Sequence, residues 1–226
     1  MFYKGDFHIH STASDGDLTP SEIVSLASNE HIDIISITDH NTILGVEEAI
    51  QAGNKLGITV IPGVELSSRY KNKSVHILGY FKDDRYKDKI FEEFLNLVKD
   101  HKANHAKQLI NLQSDYNKNS HRLSVNDGIK VLKLFGATVV LAHPILINKN
   151  YLTEIINMPF DGIEAKHFRH TPSDMEFFIK IATESGLFYT AGSDFHTNKQ
   201  TDLKHGLIGD IYLNSREIDN FLKMLL

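Results

Sequence analysis

The sequence predicts an α/β fold in which parallel strands are joined by helical crossovers, as a single barrel or layered domain. Three observations carry that expectation. Short β-branched apolar runs alternate with capped amphipathic segments along the whole chain. The 226 residues suffice for one large domain burying roughly three quarters of the surface its unfolded chain exposes. Ionisable residues repeatedly close the apolar runs, which is where barrels of this kind gather their functional groups.

Phe7-His8-Ile9-His10 opens the series. In an extended chain His8 and His10 leave one face and Phe7 and Ile9 the other, so the two imidazoles make a chelating pair. Ser14-Asp15-Gly16 is a turn signal that can bring Asp15 back over the same strand end. Thr19-Pro20-Ser21-Glu22 supplies an N-cap, a proline at the first helical position and an acid in the first turn, predicting a helix to Ser28. Residues 32–37 form a buried strand that breaks into Thr38-Asp39-His40-Asn41. A helix over 44–56 stops at Gly57, and a strand over 58–64 ends at Glu65. Residues 74–81 are a strand with His76 inside it; a lone imidazole in an apolar run is more often a satisfied core residue than a ligand.

Between 86 and 113, Ile90, Phe94, Leu97, Val98, Ala106, Leu109 and Ile110 recur at helical spacing, as one long helix or two. Residues 114–122 are polar and loop-like, and Ser124 caps a helix that runs to about Phe135 before Gly136. His101, His105 and His121 in this block are read as solvated. A strand over 137–142 delivers His143-Pro144. A helix near 152–158 precedes a strand over 160–165, which leads into Lys166-His167-Phe168-Arg169-His170. A helix through 175–185, opened by Pro172 and ended by Gly186, is followed by a strand over 187–192. That strand terminates in Ser193-Asp194-Phe195-His196, a carboxylate and an imidazole at the spacing of the opening pair. Residues 207–213 suggest a short eighth strand and 215–226 a closing helix. No linker or repeat divides the chain, so residues 1–226 are expected to form one domain with a mostly helical insertion at about 82–136.

A net charge of -5, with 41% hydrophobic and 23% charged residues, provides no bulk attraction to nucleic acid or anionic membrane. Any nucleotide substrate must therefore be held locally. The absence of cysteine excludes disulfides, thiolate zinc sites, iron–sulfur clusters and a cysteine nucleophile. The N-terminus shows no basic segment followed by an apolar one, and no apolar run approaches the 18 or so residues of a membrane span, so a cytoplasmic protein is expected. The anomaly is 13 histidines in a chain without tryptophan.

His8, His10, His40, Glu65, His143, Asp194 and His196 all fall at or just beyond predicted carboxyl ends of strands. Clustered ionisable groups are costly without a cation or partners between them, so core packing does not explain the set. The same company turns His76 into a ligand candidate. Imidazole with carboxylate suits zinc, manganese or iron and does not separate them. With Asp15 the set exceeds what one ion takes, and a carboxylate such as Glu65 can bridge two, so a multinuclear site is expected. Metal pairs about 3.5 to 4 Å apart recur in phosphatases and nucleases, where they generate hydroxide and clamp the attacking and leaving oxygens.

His8-Ile9-His10, Asp15-Gly16, Thr38-Asp39-His40, Gly63-Val64-Glu65, His76-Ile77-Leu78-Gly79-Tyr80, Ala142-His143-Pro144 and Gly192-Ser193-Asp194-Phe195-His196 resemble the ordered motifs of the PHP (polymerase and histidinol phosphatase) superfamily. The match is strongest to its stand-alone metal-dependent phosphoesterases and runs from residue 4 to about 210. This resemblance implies a distorted seven-stranded (β/α) barrel, TIM-like and PHP-type, with a trinuclear centre of manganese, iron or zinc. By position it implies His8, His10, Glu65 and Asp194 on a first ion. Glu65 would bridge to a second ion completed by His76 and His143, and Asp15, His40 and His196 would hold a third.

The family hydrolyses phosphomonoesters such as histidinol phosphate or nucleoside monophosphates, removes the 3′-phosphate of bisphosphorylated nucleotides, or trims short RNA from its 5′ end. The resemblance thus implies a small phosphorylated substrate, a nucleotide or a short oligonucleotide; no membrane association is expected, and no stable protein partner is implied. The segment after Gly162-Ile163-Glu164 often carries a substrate-side imidazole, matched here by His170. Two departures stand out. The block between His76 and His143 is shorter than the insertion in nucleotide-specific relatives, and Lys166 and Phe168 occupy places where an aromatic and a proline are common.

The expected chemistry is attack on phosphorus by a hydroxide bridging the first two ions, with Glu65, Asp194 and His196 as catalytic residues. Arg169 and His170 are the preferred phosphate contacts, because a guanidinium can fork onto phosphate oxygens and the pair follows a strand end. Arg69 is a second candidate. No general acid is identified, and the third ion is a candidate for stabilising the leaving oxygen. One alternative is an amidohydrolase that turns the same hydroxide on a carbonyl; the carboxylate-rich set and the Arg169/His170 pair favour phosphate. Another is a non-catalytic metal-binding module of the kind found inside polymerases, against which every ligand position is filled.

Overall fold

The computed structural model describes residues 1–113, 121–199 and 201–225. Strand β1 (Lys4–Ile9) leads into α1 (Pro20–Asn29), where Thr19 and Glu22 exchange side-chain-to-backbone hydrogen bonds in a capping box. The helix buries Pro20, Ile23, Val24 and Ala27. It is followed by β2 (Ile34–Ile37) and α2 (Val46–Leu56), which ends at Gly57 with φ 75°. A residue with a Cβ would be strained in that left-handed conformation.

The strand expected over 58–64 is two strands. β3 (Thr59–Val60) is followed by β4 (Gly63–Tyr70), which runs through Glu65 instead of ending there. The chain turns at Lys71 and Asn72, with φ 44° and 65°, and returns as β5 (Lys73–Tyr80) in an antiparallel hairpin. Two consecutive positive φ values suit a two-residue hairpin loop, because that backbone twist matches the flanking strands. The polar stretch 67–74 hid this hairpin, since its outer end packs too few apolar side chains to show an alternating pattern.

The helical block is broken. A short 3₁₀ turn precedes α3 (Lys89–Lys99) and α4 (Ala103–Leu109), separated where His101 takes φ 62°. Of the expected polar loop, 114–120 lies outside the described residues; α5 (Val125–Leu134) then starts on a Ser124 cap. The remaining elements are β6 (Thr138–Leu141), α6 (Lys149–Ile156), β7 (Gly162–His167), α7 (Pro172–Glu184), β8 (Phe188–Gly192), β9 (Leu213–Asn214) and α8 (Ser215–Met224). Only Leu213 of the expected strand 207–213 is extended, in β9.

The described strands form two sheets, in the orders β3-β2-β1-β9 and β4-β5-β6-β7-β8, and no single closed barrel sheet. The expectation of parallel pairing holds for β1/β2, β2/β3, β6/β7 and β7/β8. It fails for β1/β9, β4/β5 and β5/β6, which are antiparallel. The tight Lys71-Asn72 turn forces the reversal of β4 and β5, whereas β5 and β6 run antiparallel although α3, α4 and α5 lie between them.

The sheets meet at both flanks, beside the candidate site. On one flank the Asp194 N–H donates to the His8 carbonyl and the His10 N–H to the Phe195 carbonyl, both at 2.9 Å. On the other, the Asn41 N–H donates to the Glu65 carbonyl at 2.9 Å. Amphipathic α8 closes the base, burying Ile218 and Phe221, with Phe221 edge-on to Phe7 at 4.6 Å. Burial of each such side chain contributes about 1.5–3 kcal/mol. Among the described residues no helix is long and apolar enough to cross a membrane.

Candidate metal centre

Because β1 is extended, His8 and His10 project from one face, and their Nε2 atoms lie 3.1 Å apart. Asp194 Oδ1 approaches both, at 3.4 and 3.3 Å. Glu65 lies at the centre. Its Oε1 is 3.0 Å from His76 Nδ1, 3.0 Å from His143 Nε2 and 3.5 Å from His8 Nε2. Its Oε2 is 2.9 Å from His40 Nδ1 and 3.3 Å from His10 Nε2. Asp15 stands at the outer edge, with Oδ1 3.5 Å from both His10 Nδ1 and His196 Nε2, and Oδ2 3.8 Å from His40 Nε2.

Four overlapping groups have ligating atoms within 4.8 Å of one another: His8, His10 and Asp194; His8, Glu65 and His143; His40, Glu65 and His76; and His10, Asp15, His40 and His196. Hydrogen bonding does not satisfy this set. The buried Nδ1 atoms of His10 and His40 make no well-formed hydrogen bond, although Asp15 lies 3.5 Å from the first and Glu65 2.9 Å from the second. An orphaned buried imidazole nitrogen is costly unless its lone pair meets something else. Convergent nitrogen and oxygen donors without sulfur fit divalent cations.

The backbone is bent to make this possible. His143 and Asp194, just past β6 and β8, have φ 25° and 55°, left-handed values that non-glycine residues adopt at a cost. Glu164, inside β7, offsets that cost on one side, accepting the His143 N–H at 2.6 Å and the His8 Nδ1–H at 2.9 Å. His167 Nε2 lies 3.4 Å from Asp194 Oδ2. Asp39 anchors the loop that carries Asp15, accepting from the Ser11 N–H and hydroxyl at 2.7 Å and from the Ser14 hydroxyl at 2.6 Å.

Charge is unevenly held. Burial opposes ionisation of Glu65 and Asp194, but facing imidazoles, His40 for Glu65 and His8 for Asp194 foremost, hold both well below the usual carboxylate range. Burial likewise disfavours imidazolium at His8 and His10, yet Glu164, Asp194 and Glu65 around His8, and Asp15, Asp194 and Glu65 around His10, raise both well above the ordinary value. At His143 burial prevails and lowers the pKa.

All nine metal candidates named from the sequence (His8, His10, Asp15, His40, Glu65, His76, His143, Asp194 and His196) therefore converge. The proposed phosphate contacts are not among those ligating groups. Arg69 Nη1 donates to the Asn72 carbonyl in the hairpin turn at 2.8 Å. Arg169 is exposed past β7, and His170 Nδ1 bonds the Ala165 carbonyl at 2.8 Å while its ring stacks on Phe178. Glu164, His167 and Asp39 were not singled out from the sequence. A signal existed for Glu164: an acid within an apolar strand needs a buried partner.

Gly192 permits the close approach of β8 to β1. A Cβ there would press on the His8 Cβ and lie 2.6 Å from Glu164 Oε1. Gly192→Ala is expected to destabilise the fold by about 1–3 kcal/mol, measured by urea unfolding, because neither buried neighbour has room to retreat.

Residues 6–129 match the family described as the PHP domain. The chain belongs to that family. It is 32% identical over 168 residues to a 5′-3′ exoribonuclease of Haemophilus influenzae, a match that covers 74% of this chain but only 57% of that relative. A phosphoribosyl 1,2-cyclic phosphate 1,2-diphosphodiesterase of Eggerthella lenta is 24% identical over 244 residues, covering 84% of this chain and 93% of the relative. Among solved structures, a Bifidobacterium adolescentis protein provisionally described as a metal-dependent phosphoesterase superposes with a TM-score of 0.75 at 20% identity, over 98% of this chain and 96% of that one. This last likeness concerns the fold of the PHP domain.

Proposed function

We propose that this PHP-domain chain is a metal-dependent phosphoesterase acting on a small phosphomonoester, a nucleotide or a short oligonucleotide phosphate. The observation that carries the reading is Glu65, one buried carboxylate whose two oxygens face five imidazoles. In this reading His8, His10, Glu65 and Asp194 hold one ion, Glu65, His76 and His143 a second, and Asp15, His40 and His196 a third, with manganese, iron or zinc as candidates. In this reading the two sheets are a distorted, incompletely paired barrel, which the flank contacts of β1 with β8 and of β2 with β4 support, and residues 82–136 are an insertion. The names of the Haemophilus and Eggerthella relatives support phosphate esters as the substrate class.

Divalent ions in such a site supply Lewis acidity toward phosphoryl oxygens and lower the pKa of water. The chain's own groups do the positioning. Glu164 takes the His8 Nδ1–H, which turns the Nε2 lone pair toward Asp194 and His10. Glu164→Gln replaces one acceptor with a donor facing another donor. It is expected to weaken metal binding about 10–100-fold, measured by competition with a chelating dye. Exposed Arg169, two residues past β7, is the candidate for holding phosphate oxygens.

The test is phosphate release by metal-supplemented protein from nucleotides, bisphosphorylated nucleotides, short oligonucleotides and sugar phosphates, with cyclic amides assayed alongside. Release from at least one phosphate class and none from amides is expected. A fully metal-loaded protein that hydrolyses amides, or no phosphoester at all, would overturn the reading.

A further inference from the structure

Beside the cluster lies a cavity of about 480 Å³ whose lining includes His76 and His143. It is far larger than a phosphate group and within the size range of small-molecule sites. One wall is the β4–β5 hairpin and the other is α6 with the turn before it. The walls are tied together at the rim. The Tyr70 hydroxyl donates to Glu154, and Lys71 Nζ lies 2.8 Å from the same carboxylate. The Tyr70 and Tyr151 rings meet edge to face at 5.7 Å and 69°. The Lys71 ammonium stands 5.1 Å from the first ring centroid and 4.8 Å from the second.

We propose that this cavity receives the nucleobase of a nucleotide substrate, with Tyr151 as its stacking surface; the inference rests on the phosphoesterase reading above. Contiguity is the first argument. His76 and His143 belong to both the cluster and the cavity, so the organic substituent of a phosphate held at the cluster has this space beside it. Chemistry is the second. Among the described lining residues Lys73 is the one ionisable cation besides the two imidazoles, and Lys71 at the rim is paired with Glu154, which ill suits a second phosphate or a polyanionic sugar. Val75, Ile147 and Ile155 supply an apolar floor, and tyrosine offers a π surface, on which any base can stack. Lys73, Ser74 and Asn148 add polar groups to the lining, the Ser74 hydroxyl lying 3.2 Å from His76 Nε2 and Asn148 Oδ1 accepting the Asn150 N–H at 3.0 Å. Preformed walls fixed by the Glu154 contacts reduce the ordering cost of binding.

The experiment compares adenosine 5′-monophosphate with ribose 5-phosphate, which lacks only the base, in manganese-supplemented wild type, Tyr151→Leu and Tyr151→Phe. Calorimetric titrations of adenosine and ribose are run on the same proteins. Leucine keeps apolar bulk but removes the π face, whereas phenylalanine keeps both. Wild type should favour the nucleotide in kcat/KM by about tenfold or more. Tyr151→Leu should remove that preference through KM and abolish adenosine binding without changing ribose 5-phosphate turnover; Tyr151→Phe should retain both. Equal use of the two substrates by wild type, an equal loss on both in Tyr151→Leu, or adenosine binding that is absent or survives Tyr151→Leu would overturn the base site. Tyr151-dependent adenosine binding without hydrolysis of any phosphoester would count against the phosphoesterase reading and leave the base site standing.

Discussion

Glu65→Gln is expected to strip bound metal from the protein and to reduce phosphoester hydrolysis by more than the roughly 10–100-fold that loss of a ligand-orienting hydrogen bond costs. Both carboxylate oxygens are in use: Oε1 faces His8, His76 and His143, and Oε2 faces His10 and His40. A glutamine retains one acceptor, turns an amide N–H toward two imidazoles and removes the negative charge that offsets the cations. No neighbouring group can replace it, since Asp194 and Asp15 are engaged on opposite sides of His10. Metal content by elemental analysis and initial rates on a chromogenic phosphate ester are the readouts, with circular dichroism to establish that the variant is folded. Wild-type metal content and rate in the folded variant would remove Glu65 from the centre.

Metal uptake is expected to expel protons and to weaken steeply as the pH falls. In the metal-free chain burial disfavours imidazolium at His8 and His10, but the surrounding carboxylates prevail and raise both pKa values well above 6.5. An imidazolium has no lone pair to offer, so each proton must leave before its nitrogen binds a cation. Glu65 and Asp194 are held well below the usual carboxylate range and are already ionised, so they contribute none. Below the raised values, apparent affinity should fall up to about tenfold per pH unit for each proton displaced. The sign of the linked stability follows. His8 and His10 contribute to the metal-free fold fully below pH 6.5, and that contribution is lost as the pH rises through their raised folded-state values. Calorimetry in two buffers of different ionisation enthalpy counts the protons. Net release of protons is expected, and pH-independent affinity would contradict the assignment.

The legible part of this site was the part set by local spacing. His8 with His10, and Asp194 with His196, lie two residues apart in extended or turning chain, where alternation alone brings side chains together. His40 and His143 stood at the ends of unmistakably apolar strands that the structure retains as β2 and β6. Glu65 and His76 were identified as candidates, but their strands were given the wrong geometry. They lie on the two arms of an antiparallel hairpin, with Ser67 opposite His76, and the polar arm of β4 beyond Ser67 carried no periodic signal. The same hairpin explains Arg69, which serves its own turn at Asn72. Glu164 and Asp39 act through other side chains. Their importance depends on which strands become neighbours, and pairing across two sheets is a tertiary fact that no window of sequence contains.

The most direct measurement is anomalous X-ray scattering from crystals grown with manganese. Peaks are expected among His8, His10 and Asp194, among Glu65, His76 and His143, and among Asp15, His40 and His196, with Glu65 shared between the first two. Crystals whose manganese lies elsewhere, with these imidazoles and carboxylates bonded only to one another or to water, would contradict a metal centre built around Glu65.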